Sequence, residues 1–287
     1  MSAPGPSLLG VGALVFAAVT CVVLSDTAGK LLAAGGTAPV FIAWVRFALP
    51  VFVLLPFSGL TRAELPRYLD RFVILRALCI AAAVACILTA LRTEPIANVF
   101  GAFFIGPILS YALAVAFLGE TPSKLRAILL ALGFAGVVLV VKPGFGATIG
   151  MAFAVAAGLF YGAYLATTRF VATRFRALPL MVSQLVIGAI ALTPLAWMAG
   201  APEPAVDTAV LLVASAAGSM AGNLMLINAH RHAEASLVAP LVYTQLFSAT
   251  LVGVAVFGEW PDALALIGLA IIAASGLGSL VLARRAA

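Results

Sequence analysis

The sequence predicts an all-α integral membrane protein of ten transmembrane helices, arranged as two five-helix repeats of opposite orientation. Three observations carry this: a composition unsuited to a water-facing surface, ten apolar runs that fill the chain, and an internal repeat at fixed offset. Hydrophobic residues make up 64% of the 287 positions, charged residues only 9%, and the mean hydropathy is +1.20. A soluble domain carries about 25% charged residues. Lipid-facing helices need none, and at roughly 20 apolar residues per span ten helices leave no room for a sizeable soluble domain.

The net charge of +6 is scattered over loops between apolar runs, with no basic stripe among exposed aromatics. It reads as the loop bias of a membrane protein and excludes nucleic acid as a partner. Cys21, Cys79 and Cys86 all fall inside apolar stretches and form no C-x-x-C, so they read as small packing residues, neither disulfides nor metal ligands. The apolar start at Leu8 has no Lys or Arg before it, so the first run is expected to be a retained span, not a cleaved signal.

Polar, Pro and Gly punctuation places the spans near 7–25, 38–57, 72–91, 96–118, 125–142, 148–168, 178–199, 208–228, 235–257 and 263–283. With the N-terminus in the cytoplasm, the even-numbered loops and C-terminal tail hold Arg62, Arg67, Arg71, Arg76, Lys124, Arg126, Arg169, Arg174, Arg176, Arg231, Arg284 and Arg285. The odd-numbered loops hold Lys30, Arg92 and Lys142. That bias predicts both termini on the cytoplasmic side of a bacterial inner membrane.

The repeat is explicit. Ala90-Leu91-Arg92 corresponds to Ala229-His230-Arg231, and Phe117-Leu118-Gly119-Glu120-Thr121-Pro122 to Val256-Phe257-Gly258-Glu259-Trp260-Pro261. Every matched pair is 139 positions apart, so no gap intervenes. The repeats are read as residues 1–146 and 147–287, each with five spans. An odd number inverts the second copy. Inverted halves can exchange conformations, which opens a midplane site first to one side and then to the other. Transport by alternating access is therefore the function this architecture favours.

A ten-span chain of this length, Trp44-Val45-Arg46-Phe47 in the second span, and a Gly-Glu-x-Pro ending the fourth span of each repeat resemble the drug/metabolite transporter superfamily, of the EamA type. The resemblance covers essentially the whole chain. It implies a basket of helices around a central cavity, lined by spans 1–4 and 6–9, with spans 5 and 10 packed outside. It also implies an exporter of amino acids or related metabolites; other branches carry sugar phosphates, nucleotide sugars, S-adenosylmethionine or small cations.

Candidate site residues follow from the cost of polar groups in lipid. Arg46 is the basic residue well inside a span, so it should face the interior, either anchoring a substrate carboxylate or pairing structurally with Asp26 or helix-end carbonyls. Trp44, Asn98, Tyr111, Tyr161, Tyr164, Gln184, Asn223, Asn228, Tyr243, Gln245 and Ser248 are candidates to line the cavity, with interhelical hydrogen bonding as the alternative for each. Glu120 and Glu259 each stand two residues before a proline, as structural joints at a helix start or as rim acids coupled to protons. Arg92 and Arg231 end the third spans, as caps on the last carbonyls or as latches to Glu94 and Glu234. His230 and His232 read as solvated loop residues beside a repelling arginine, not as metal ligands. Gly158/Gly162 and Gly218/Gly222 form two G-x-x-x-G patterns suited to close helix approach.

No nucleotide-binding loop, hydrolase triad or metalloprotease motif occurs, so no cofactor, no metal and no enzymatic activity are expected. With these span boundaries no Asp or Glu falls at mid-span, which points to weak or absent ion coupling. The sequence thus predicts an exporter of small metabolites, foremost amino acids with apolar or aromatic side chains, with the lipid bilayer and a small-molecule substrate as its partners and compatible with a monomer. The alternatives are an importer of S-adenosylmethionine or another small carboxylate on the same fold, and, more distantly, an integral-membrane enzyme.

Overall fold

The computed structural model describes residues 8–61, 64–117, 124–142, 148–172, 174–232 and 241–286. The helices are α1 (Leu8–Ala34), α2 (Pro39–Leu54), the short α3 (Leu65–Tyr68), α4 (Arg71–Leu91), α5 (Ile96–Phe103), α6 (Ile105–Phe117), α7 (Lys124–Val141), α8 (Ile149–Ala172), α9 (Ala177–Ala199), α10 (Val206–His232), α11 (Gln245–Phe257) and α12 (Ala263–Ala286). Among the described residues seven stretches are long and apolar enough to cross a membrane, and three shorter apolar helices within 131–141, 242–257 and 263–275 stand at the remaining positions of the ten. Phe52, Ile149, Trp197, Met198 and Trp260 are more than three-quarters exposed. Water would not tolerate so apolar an exterior, whereas lipid does.

Local chemistry explains the ends and breaks. Pro39 opens α2 at a position that needs no N–H, and the Asp70 carboxylate caps α4 by accepting from Phe72 N at 2.8 Å. The fourth span is interrupted. Pro107 has no N–H to offer the Phe103 carbonyl, so α5 ends at Phe103 and α6 begins at Ile105. The ninth span is interrupted at the equivalent place, where a 3₁₀ turn over Val242–Thr244 precedes α11.

The two repeats interlock. α1 packs on α10 and α4 on α8, each pairing one repeat with the other, while α2 packs on α9 and α7 on α12. Glycines make these crossings possible. A Cβ on Gly158 would come within 2.6 Å of the Phe103 carbonyl, and one on Gly222 within 2.7 Å of the Ala18 carbonyl. The two G-x-x-x-G patterns thus seat α8 on α6 and α10 on α1.

Three sequence boundaries need correction. α1 runs nine residues past the expected end at 25, which brings Asp26 and Lys30 inside the helix. Arg76, counted above with the loops, lies in the second turn of α4. His230 and His232 fall in the last turn of α10 and not in a loop. Charges look like punctuation in sequence, but Asp26 and Arg76 find partners on other helices and Lys30 finds Glu259 and Glu94 in the turns after α11 and α4, so the helix need not stop.

Candidate functional site

Arg46 sits on α2 and is 6% exposed. Its Nη1 donates to Asp26 Oδ1 of α1 at 2.5 Å, and its Nε to Ser215 Oγ of α10 at 2.8 Å. Ser215 Oγ in turn donates to the Ser25 carbonyl (3.0 Å), and Ser25 Oγ to the Ser215 carbonyl (2.6 Å). The guanidinium is thus neutralised by a carboxylate and locked across three helices. Its Nη2 is buried without a hydrogen-bond partner, lying against Gly29, where a Cβ would stand 3.4 Å away. Asp26 is an acid at depth, so the expected absence of mid-span carboxylates does not hold, and with it goes the argument against ion coupling.

A second arginine cluster lies on the helices equivalent to that trio. The offset of 139 relates α1 to α8, α2 to α9 and α4 to α10. Arg76 of α4, 5% exposed, reaches α8 and α9. Its Nε donates to Thr168 Oγ1 at 2.8 Å, Nη1 to the Leu180 carbonyl at 3.1 Å and Nη2 to Tyr164 Oη at 3.1 Å, with the guanidinium 4.8 Å over the Tyr164 ring. Tyr164 Oη donates onward to Gln184 Oε1 at 3.3 Å. Aromatic contacts then run inward from Tyr164 to Tyr161 (5.7 Å) and from Tyr161 to Phe103 (4.7 Å), reaching the break between α5 and α6.

The third cluster lies at one end of the bundle. Lys30 Nζ of α1 pairs with Glu259 Oε1 and donates to the Glu94 carbonyl at 2.7 Å. Glu259 Oε2 accepts from Ile96 N at 3.0 Å, so this acid caps α5 of the other repeat. Gly258 makes this possible by ending α11 in the left-handed conformation (φ 66°), which turns the chain back towards Ile96. Thr148 Oγ1 donates to Glu94 Oε1, adding the start of α8. Lys142, just beyond α7, pairs with Asp262 nearby in the chain order of α12.

Two interlocked copies of one helical unit are tied by Lys30–Glu259 at one end, by Arg176–Glu64 (2.9 Å) at the other, and by arginine brackets within. The sequence profile of the EamA-like transporter family matches residues 9–142 and again 148–281. The chain belongs to that family. A solved crystal structure of a protein aligns with this EamA-like chain over 97% of its length and 99% of its own, with a TM-score of 0.63 at 19% identity, a likeness that shows the fold alone. No curated protein matches it.

The remaining residues of interest in this EamA-like protein are spread along the bundle. Trp44 Nε1 donates to Thr193 Oγ1 on α9 at 3.0 Å. Tyr243 stacks on Phe104 at 4.6 Å, Gln245 is buried at the start of α11, and Ser248 shares a 2.9 Å hydrogen bond with Thr20. The Asn98 side-chain oxygen is buried on α5 with no partner. Tyr111 is half-buried on α6, and Asn223 Nδ2 donates to the Ser219 carbonyl of its own helix at 2.8 Å. Asn228 is exposed near the end of α10. Arg92 is exposed at the C-cap of α4, where its N–H meets the Thr89 and Ala90 carbonyls. Glu120 and Glu234 lie outside the described residues, as do the side chains of Arg231, His230 and His232. Among the described residues no group of three or more His, Cys, Asp or Glu could hold a metal.

Sequence reasoning missed Arg76 and the role of Lys30, and named Asp26 only as the structural partner of Arg46, which is where the structure puts it. The signal for Lys30 was available: Lys30 and Arg169 are 139 positions apart, as are Glu259 and Glu120, so both members of the ion pair recur at the repeat offset.

Proposed function

We propose that this EamA-like protein is an inner-membrane exporter of small metabolites, foremost amino acids with apolar or aromatic side chains, working by alternating access with both termini cytoplasmic. The observation that carries the reading is the Lys30–Glu259 pair, which ties the first repeat to the second at one end of the bundle. At the repeat offset the same charges recur as Arg169 and Glu120, which inversion assigns to the opposite end. A pair that holds one end while its counterpart is released is what an exchange of repeat conformations requires.

The orientation rests on the loop charges. With Lys30 and Arg76 moved into helices, eleven basic residues still face two. That bias supports a reading with the Glu259 end outside and the Arg174 end inside. The aromatic contacts of Phe103, Tyr161, Tyr164 and Tyr243 suit an apolar side chain, with Gln184 and Gln245 supplying polar contacts. Arg46, paired through Nη1 with Asp26 and through Nε with Ser215, serves as a fixed brace.

Proteoliposomes preloaded with unlabelled amino acids test this. Accelerated, saturable exchange of labelled phenylalanine or leucine is the expected result. Folded protein that exchanges none of a full amino-acid panel would end the amino-acid reading.

A further inference from the structure

Among the described residues two buried arginines stand in equivalent helix trios, and one of them has a counter-charge there. Arg46 meets Asp26 at 2.5 Å. Among the described residues Arg76 has no carboxylate partner; a hydroxyl, a phenol and a carbonyl take up its three nitrogens. Two of those bonds measure 3.1 Å, longer than the 2.7–2.9 Å usual when a charged donor meets a charged acceptor. A charge removed from water and solvated only by neutral dipoles is left with a large unmet electrostatic demand.

The surroundings indicate what would meet it. Arg76 lies about 7.5 Å along α4 from Arg71, at 1.5 Å per residue. At that end of the α4–α8 seam is a cleft of about 370 Å³ lined by Pro66, Arg67, Leu69, Asp70, Val171, Arg174 and Phe175. Val171 is one turn beyond Thr168, and Arg67 and Arg174, against the one carboxylate of Asp70, leave the rim net positive, which draws anions. On the inward side Tyr164, Tyr161 and Phe103 offer an apolar wall.

We infer that Arg76 is the anchor for a carboxylate on the transported molecule, received from the Arg174 end, with the rest of that molecule lying along Tyr164 and Tyr161. This rests on the transport reading above and deepens it. A single guanidinium matches the single charge and planar fork of a carboxylate, whereas a phosphate would bring more charge than one arginine neutralises. The ligand displaces Tyr164 Oη from Nη2, and that phenol keeps Gln184 as its partner.

The test uses phenylalanine, phenylpyruvate and phenethylamine, which share a ring and differ in their charged groups. In purified wild-type protein the two carboxylates raise Tm and phenethylamine does not. Arg76→Gln and Arg76→Met lower the apparent affinity for both carboxylates roughly ten- to a hundredfold, the worth of charge-assisted hydrogen bonds. Both variants stay folded, because no buried acid is orphaned by the change. Unchanged carboxylate affinity in the variants, stabilisation of the wild type by phenethylamine alone or by no probe, or unfolding of both variants would each overturn the assignment. Counterflow of labelled phenylalanine separates the two claims. Binding through Arg76 without exchange removes the transport reading and leaves the site, while exchange indifferent to Arg76→Gln removes the site and leaves transport.

Discussion

Phe104 and Tyr243 stand at equivalent positions of the two repeats, 139 residues apart, and stack on one another with ring centroids 4.6 Å apart and planes 19° from parallel. Equivalent residues can touch only where the axis relating the repeats passes between them. Both also mark a helix break, Phe104 between α5 and α6 and Tyr243 in the 3₁₀ turn before α11. The discontinuous fourth and ninth spans therefore meet at the centre of the symmetry, where half-helix ends in transporters of this construction face the substrate.

The stack should show as a coupling between its members. In a double-mutant cycle of Phe104→Ala and Tyr243→Ala, thermal unfolding should give an interaction of about 0.5–1.5 kcal/mol. Tyr243→Phe keeps the ring and should be close to neutral. Additive alanine effects would show that the rings merely lie near each other.

Arg46 and Asp26 should behave as an inseparable pair. Either Asp26→Asn or Arg46→Met alone leaves one buried group uncompensated, and each should destabilise by about 3–5 kcal/mol. Replacing both by apolar residues of similar volume should recover most of that loss. The comparison is made by denaturant or thermal unfolding in detergent. A double variant as unstable as the sum of the singles would refute the pairing.

The glycines divide into those under contact and those in open space, and the division is quantitative. Gly158→Ala sets a methyl group 2.6 Å from the Phe103 carbonyl, and Gly222→Ala one 2.7 Å from the Ala18 carbonyl. Each should cost about 1–3 kcal/mol, since backbone cannot move aside as a side chain does. Gly12→Ala meets nothing within 4 Å and should be neutral or slightly stabilising. Unfolding midpoints of the three variants decide it.

The span count, the repeat and its offset were legible because hydropathy and sequence identity report them directly. The clusters were not, for a physical reason. A charge inside a helix and a charge ending one look alike in a single sequence, and only the partner on another helix tells them apart. Asp26 and Lys30 therefore read as lying past a helix end, and Arg76 as one of the loop charges. Glu259 was placed at a helix joint, and its capping target, Ile96, lies 163 residues away on the other repeat. Arg46 stands out because Val45 and Phe47 flank it deep in an apolar run; the sequence also offers Asp26 as its partner, and the structure brings the two together.

The exposed ion pairs set the response to acid. The Lys142 ammonium beside Asp262, together with the Ala265 N–H it accepts from at 2.9 Å, holds the Asp262 carboxyl below its ordinary value of 3.8. The Thr61 N–H and hydroxyl, with the Arg176 guanidinium, do the same for Glu64. A carboxyl depressed on folding stabilises above its unfolded value, and the gain disappears as pH falls through the folded one. Wild-type Tm should therefore decline on acidification below about pH 4, and Asp262→Asn should lower Tm at neutral pH while flattening that decline. Equal slopes in wild type and variant would remove Asp262 from the account.

Charge exchange at the Lys30–Glu259 end tests the pair that carries the functional reading. Lys30→Glu sets three carboxylates together with Glu94 and Glu259, and Glu259→Lys sets two ammonium groups together. Either alone should reduce amino-acid exchange more than tenfold, because like charges at close range in a poorly hydrated site cost several kcal/mol. The double exchange restores the attraction but leaves the Ile96 N–H facing an ammonium in place of the Glu259 carboxylate that accepts from it at 3.0 Å. Recovery should therefore be substantial and incomplete. Glu259→Gln adds the missing comparison, since the amide oxygen still accepts from Ile96 while the pairing charge is gone. If exchange in Glu259→Gln matches wild type, Glu259 acts as a cap on α5 and the ion pair has no part in the transport cycle.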